Sequence, residues 1–204
     1  TPGLADHYLQ NPAGQQQSGP TVLVHSFPIN RARYAPFFEV GARLTLVNPR
    51  QVPEDCYSPH WKVRSRLQWW LADQEARAKS PGTIALLQNQ KGEVLETALA
   101  NLLVVKNRTL VSPPAGSILK GVSLNKLKSI SQSVGIPFEE KPLTPKDLWE
   151  ADEVLLTGTM FCLAGVSCLE NRAIPWPGPV LQQLQDFWWG EIGQNLSIWF
   201  IKKP

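Results

Sequence analysis

The stretch from Thr83 to Pro113 constrains the fold more than any other part of the sequence. Four short apolar runs, TIALLQ, EVLET, NLLVV and TLVSP, follow one another with only the polar turn NQKG, the tripeptide ALA and the tight KNR between them. Runs of that length, rich in Val, Leu, Ile and Thr and punctuated by turn formers, read as strands joined by hairpin-type connections. The block is therefore a β-meander.

Around it the pattern changes period. Arg43 to Val47 (RLTLV) alternates like a half-buried strand, and Thr21 to Phe27 (TVLVHSF) is a β-branched apolar run that stops at Pro28. INRARY between them reads as a linker. The spacing in Val63 to Lys79 predicts a helix with Leu67, Trp70, Leu71 and Gln74 on its apolar face, closed by Pro81-Gly82. A second helix is expected from LNKLKSISQSVG, with Ser123 as its N-cap and Gly135 as its stop. Thr144-Pro145 announces a short third one, with Thr144 as cap. Strands are expected at IPFEEKPL, EVLLTGT and LAGVSCLE. The last helix should start near Pro179 with Val180, Leu184, Phe187 and Trp188 on a stripe. Strands and helices mix without a strict βαβ repeat, which gives an α+β or distorted α/β barrel-like domain.

Composition narrows the function. At 204 residues and 43% apolar content the chain can build one good-sized core, or one domain and part of another. A net charge of +3 with scattered basic residues lacks the footprint of a nucleic-acid binder. No apolar run approaches the about 20 residues needed to span a bilayer, and the first residues hold no charged leader followed by an apolar stretch, so no membrane partner is expected. Three cysteines, Cys56, Cys162 and Cys168, without close pairs read as free buried thiols in a reducing, cytoplasmic setting. The chain starts at Thr1 without Met, as an excerpt of a longer sequence would. Residues 1–20 carry many turn formers and no periodicity, and read as loop.

Three features could carry chemistry. Lys62, in SPHWKVRSRL, is either a solvated charge or a nucleophilic lysine, and the second needs a desolvated or cationic pocket to which Arg64 and Arg66 could contribute. Glu96, inside the apolar meander, is either a strand-end glutamate facing water or a fixed anion that keeps a ring nitrogen protonated. ILKGVS puts Gly121 and the amides of Val122 and Ser123 at a helix start, which is either a plain capped helix or a phosphate site. Thr157-Gly158-Thr159 could add hydroxyl and amide donors. His7, His25 and His60 show no metal spacing and are set aside, so no metal is expected. Asp152 and Glu153 read as a helix end before a strand, and the eight tryptophans as core and interface.

Taken in order, KVRSRL from Lys62, ADQEA from Ala72, ALLQNQKGEVLET with Asn101 beyond it, ILKGVS, GIPFEEKPLT and EADEVLLTGT resemble the class-IV (fold type IV) aminotransferase family. That family includes branched-chain and D-amino-acid aminotransferases and aminodeoxychorismate lyase. The resemblance covers about residues 20 to 190, and implies pyridoxal 5'-phosphate as cofactor. It implies that Lys62 forms the Schiff base, Glu96 meets the pyridine nitrogen, and Val122, Ser123 and Thr159 hold the phosphate. Gly158, Thr159 and Met160 would lie near the substrate carboxylate. The implied reaction moves an amino group between an amino acid and a 2-oxo acid in a homodimer. Ser65-Arg66-Leu67 is nearer to the Asn-Arg-Leu of some lyases, so pyruvate elimination giving 4-aminobenzoate is the second expectation, and a non-catalytic remnant of the fold the third. In domain terms the resemblance implies residues 1–30 as the tail of an N-terminal domain, 31–36 as interdomain linker and 37–204 as the cofactor-binding domain.

Overall fold

The computed structural model describes residues 22–202. The meander is present as β2 (Ile84–Gln88), β3 (Val94–Thr97), β4 (Asn101–Lys106) and β5 (Thr109–Ser112). With β1 (Ala42–Arg50), β7 (Glu153–Gly158) and β8 (Cys162–Leu169) it forms a sheet that runs β3-β2-β1-β8-β7-β4 and then closes on itself where β3 pairs β4. The six strands make a distorted barrel. β1 lies parallel to both β2 and β8, whereas β2–β3, β4–β7 and β7–β8 are antiparallel. Closure rests on a single register pair, Glu96 opposite Asn101. β5 and the short β6 (Phe138–Glu140) extend the sheet beyond β4, and β9 (Arg172–Ala173) pairs with β8.

Period-2 alternation along these strands feeds two apolar clusters. Leu102, Val104 and Leu156 belong to one, which Tyr34 of α1 (Arg31–Glu39) and Phe200 of α6 (Leu196–Ile201) complete. Leu103, Val105 and Leu155 belong to the other, which packs on α3 (Val122–Ser133) and α5 (Pro179–Ile192). α4 (Pro145–Trp149) carries the expected Thr144 cap, and Asp147 completes a capping box. The start of α5 is held from outside: the buried Glu153 carboxylate accepts from Val180 N and Leu181 N, both at 2.8 Å. Two of the orphan amides of that helix start are thereby satisfied.

Several expectations need revision. Residues 31–36, read as a linker, are the first turns of α1, because Tyr34 is buried against Phe37, Phe161 and Phe200. The run TVLVHSF is not a strand: residues 22–30 have no regular structure, and Val22, Leu23, Val24 and Phe27 are exposed. Thr21, His7 and the N-terminal loop lie outside the described residues. Helix α2 is Leu67–Lys79, four residues shorter than expected, and its faces are reversed. Leu67, Trp70 and Leu71 point outward, while Trp69, Ala72 and Ala76 pack on Val47, Ala85 and Leu87. Small alanines let the helix axis approach the sheet closely, which bulky leucines at those positions would prevent. The cap of α3 is Gly121, not Ser123, which lies inside the helix and is buried. On α5, Phe187 is partly exposed whereas Leu181 and Trp189 are buried, and α6 follows it. None of the cysteines is buried: Cys56 is exposed, Cys162 and Cys168 are half-buried, and all three are free.

Candidate active site

The loop after β1 and the turns at the ends of β3 and β7 meet the start of α3 around a cavity of about 460 Å³. Lys62, Glu96, Val122, Ser123, Gly158 and Thr159 all line it. Six residues singled out from four separate stretches of sequence thus share one space. Met160 is the exception; it is partly exposed and is not part of the lining.

Glu96 forms the floor and is only 6% exposed. Leu119 N donates to its Oε1 at 3.2 Å, and Asn101 Nδ2 donates to its Oε2 at 2.9 Å. Burial pushes the carboxyl up to about 7, against the opposing pull of the Leu119 amide, the Lys62 and Arg66 cations and the Asn101 amide. The carboxylate therefore sits where ionisation is costly unless a cation meets it. Lys62 contributes at a distance and makes no direct ion pair with it.

Asn101 opens the strand after Glu96, and nothing local in the sequence assigns it a role. Its side chain ties Glu96 to the loop before α3, since Nδ2 also donates to Leu119 O at 2.9 Å. The signal that could have found it is positional: a hairpin that brings β3 and β4 together sets Asn101 opposite Glu96.

The Lys62 loop is pinned at both flanks. His60 Nε2 hydrogen bonds Ala115 O at 2.8 Å, joining this loop to the segment that leads into α3. His60 is thus a cavity-lining residue and not incidental, for a histidine can anchor a loop without metal spacing. On the other flank Arg66 donates to Ala98 O at 2.7 Å and its guanidinium stacks over Trp69 at 5.7 Å. Arg66 lines the cavity; Arg64 does not.

At the far wall α3 begins with Gly121, whose carbonyl accepts the first helical bond from Asn125 N at 3.0 Å. The amides of Val122 and Ser123 precede that bond and have no partner within the helix. Both residues line the cavity, as does Thr159. Gly158 is required by a close approach, since a Cβ there would stand 2.9 Å from Leu99 O. The site offers a lysine, a buried carboxylate, and free amides with a hydroxyl at a helix start. Such a set can hold a flat cationic ring between an anion and a phosphate site.

Among the described residues no cluster of His, Cys, Asp or Glu could hold a metal ion, and no helix is long and apolar enough to cross a membrane.

The sequence profile of amino-transferase class IV matches residues 4–169. A putative branched-chain-amino-acid aminotransferase of Methanocaldococcus jannaschii is 35% identical over 67% of this chain and 47% of the relative. An aminodeoxychorismate lyase of Vibrio harveyi is 30% identical over 86% of this chain and 64% of the relative. Among solved structures, a putative branched-chain amino acid aminotransferase from Thermotoga maritima superposes with a TM-score of 0.67 at 28% identity. That match covers 73% of this chain and 54% of that one. The chain spans about half the length of the branched-chain relatives it matches.

Proposed function

The chain belongs to the class-IV aminotransferase family, and we propose that it binds pyridoxal 5'-phosphate through Lys62 and moves an amino group between an amino acid and a 2-oxo acid. The observation that carries the reading is the buried Glu96 carboxylate, hydrogen-bonded at both oxygens and facing the same cavity as Lys62. A carboxyl with its ionisation held up to about 7 fits a ligand that brings its own positive charge, as a protonated pyridine nitrogen does. The residues present fit the cofactor at each end.

When bound, pyridoxal phosphate supplies an electron sink for the substrate α-carbon. The chain's own groups have separate tasks. Glu96 would hold the proton on the ring nitrogen, and Val122, Ser123 and Thr159 would donate to the phosphate. Lys62 would hold the cofactor at its aldehyde carbon, with the carbonyl oxygen leaving as water, and its amine, freed when the substrate amine takes its place, would carry the proton to and from the α-carbon. Gly158 and Thr159 bound the side where a substrate carboxylate would lie; Met160 would join them only from the rim.

In the wider protein we read the cofactor-binding domain as beginning with α1 rather than at residue 37, since Tyr34 belongs to its core, and as following an N-terminal domain. Two copies would form the functional unit, a reading supported by the exposed Trp61, Leu67, Trp70 and Leu71 around the mouth and on α2. The free cysteines support a cytoplasmic setting.

The test is the absorbance spectrum of the full chain after loading with pyridoxal phosphate and dialysis. A retained band at about 410–430 nm, expected of a lysine-bound cofactor, should vanish in Lys62→Ala. Absence of the band in the native protein would refute the reading in favour of a non-catalytic member of the fold. The Vibrio harveyi relative, matched over more of both chains than the Methanocaldococcus one, favours a lyase as second reading. Amino transfer to 2-oxoglutarate supports the first; pyruvate release from aminodeoxychorismate supports the second.

A further inference from the structure

The charges around the cavity do not balance once a cofactor is assigned to it. Lys62, Arg66 and Lys120 are the lysine and arginine residues of the lining, and Glu96 is its one carboxylate. Lys62 is assigned to the aldehyde carbon and Glu96 to the ring nitrogen. Lys120 stands next to Gly121, the cap of α3, and so belongs to the phosphate end. That leaves the Arg66 guanidinium without a task.

The group is held at the cavity wall from two sides. Nη2 donates to Ala98 O at 2.7 Å, and the guanidinium carbon lies 5.7 Å from the centre of the Trp69 ring. Ala98 and Trp69 both line the cavity. The Glu96 carboxylate feels the charge, and Asp73 feels it only behind that of Arg77. Neither pairs with it: among the described residues no ion pair includes Arg66. A guanidinium keeps further N–H donors in a planar fork that fits a carboxylate at two points, and one already held in place loses little freedom on binding. Around it the wall is apolar, with Trp61, Trp69, Ala98 and Leu99. Such a wall covers methylene groups, whereas an aliphatic side chain ending at the guanidinium would strip its water and return no hydrogen bond.

We infer that Arg66 is a specificity-determining residue of this site, selecting an amino acid, or its 2-oxo acid, whose side chain ends in a carboxylate. The inference rests on the cofactor reading above. The substrate's methylene stem lies against the apolar wall, and its terminal carboxylate accepts from the guanidinium edge that Ala98 leaves open.

The experiment uses the full chain loaded with pyridoxal phosphate, beside Arg66→Leu, Arg66→Gln and Arg66→Lys. Each is mixed with glutamate or leucine, in both configurations, and amino transfer to the cofactor is followed as decay of the lysine-bound absorbance band. At low donor concentration the wild type should react faster with glutamate than with leucine. The ratio of the two second-order rate constants should fall about 10–100-fold in Arg66→Leu and Arg66→Gln, the scale of a lost charge-assisted hydrogen bond. Arg66→Lys should recover part of that ratio. Glutamine keeps a donor for Ala98 O, so Arg66→Gln separates the loss of charge from the loss of a loop anchor.

A wild type that holds the cofactor but prefers leucine, or reacts with neither donor, overturns the inference and leaves cofactor binding intact. So does equal slowing with both donors in Arg66→Gln, which marks an arginine that only anchors the loop. A raised Kd for pyridoxal phosphate at an unchanged ratio also overturns it, and gives the guanidinium to the oxygen on the cofactor ring. Failure of the wild type itself to bind pyridoxal phosphate overturns both readings.

Discussion

Gly121 and Asn101 touch beneath the cavity: a methyl carbon built on Gly121 would stand 2.1 Å from Asn101 Oδ1. The contact explains why the cap position of α3 is a glycine although its φ of −66° is open to any residue. Gly121→Ala must displace Asn101, and with it the bonds to Glu96 and Leu119. A loss of about 1–3 kcal/mol in urea unfolding is expected, the range for overpacking a filled site. Pyridoxal phosphate retention should fall with it. Unchanged stability would mean that Asn101 has room to turn aside.

Glu96 should give cofactor-free protein a distinct pH dependence. Its folded-state value of about 7 lies above the ordinary 4.5, so the native state holds this proton more tightly than the unfolded chain. Stability therefore falls as pH rises from 4.5 to 7, stays constant above, and regains the loss below 4.5. The full change is about 3 kcal/mol. Urea titrations at stepped pH should show this fall in wild type and not in Glu96→Gln. Loading with pyridoxal phosphate should flatten it, because a ring cation favours the ionised carboxylate.

Two adjacent tryptophans should behave oppositely. Trp69 is 8% exposed, packs against the sheet and carries the Arg66 guanidinium over its ring; Trp70 is 57% exposed. Trp69→Ala should cost about 3–5 kcal/mol, and Trp70→Ala about 0.5 kcal/mol or less in dilute protein. Similar losses for both would mean that the α2 face is covered in solution even at low concentration.

A third site of tight fit lies away from the cavity. A Cβ on Gly178 would stand 2.0 Å from the Glu153 carboxyl carbon, which holds the start of α5. Gly178→Ala should lower stability by about 1–3 kcal/mol, read by thermal melting, with the wild-type Kd for pyridoxal phosphate retained in the folded fraction. A changed Kd would show that α5 is coupled to the cavity.

The sequence was most informative where local chemistry alone decides the outcome. The meander follows from four apolar runs and the turns between them, and the Thr144 cap with Pro145 starts α4 as expected. Lys62 and Glu96 could be picked out as candidates, but only the closed sheet puts them in one cavity. Periodicity points to the wrong face of α2 because it weighs Leu67, Trp70 and Leu71 above Ala72 and Ala76, whereas close packing on a sheet selects small residues. Residues 31–36 looked polar, yet one tyrosine, Tyr34, meets three phenylalanines that lie far along the chain or one turn ahead. Asn101 depends on a partner in another strand, and a single sequence does not reveal such neighbours.

The barrel is joined at its seam by the one pair, Glu96 opposite Asn101, and the same two residues build the floor of the site. Folding and recognition are therefore not separate events in this chain. A transient opening of the seam would remove the buried Glu96 carboxylate and its Asn101 brace together, while the other strand pairings stay zipped. Backbone amides of β3 and β4 nearest the seam should exchange with solvent before those of β7 and β8. A ligand spanning Glu96 and the start of α3 acts on that opening as a staple, slowing exchange there by the same mass-action factor with which it binds.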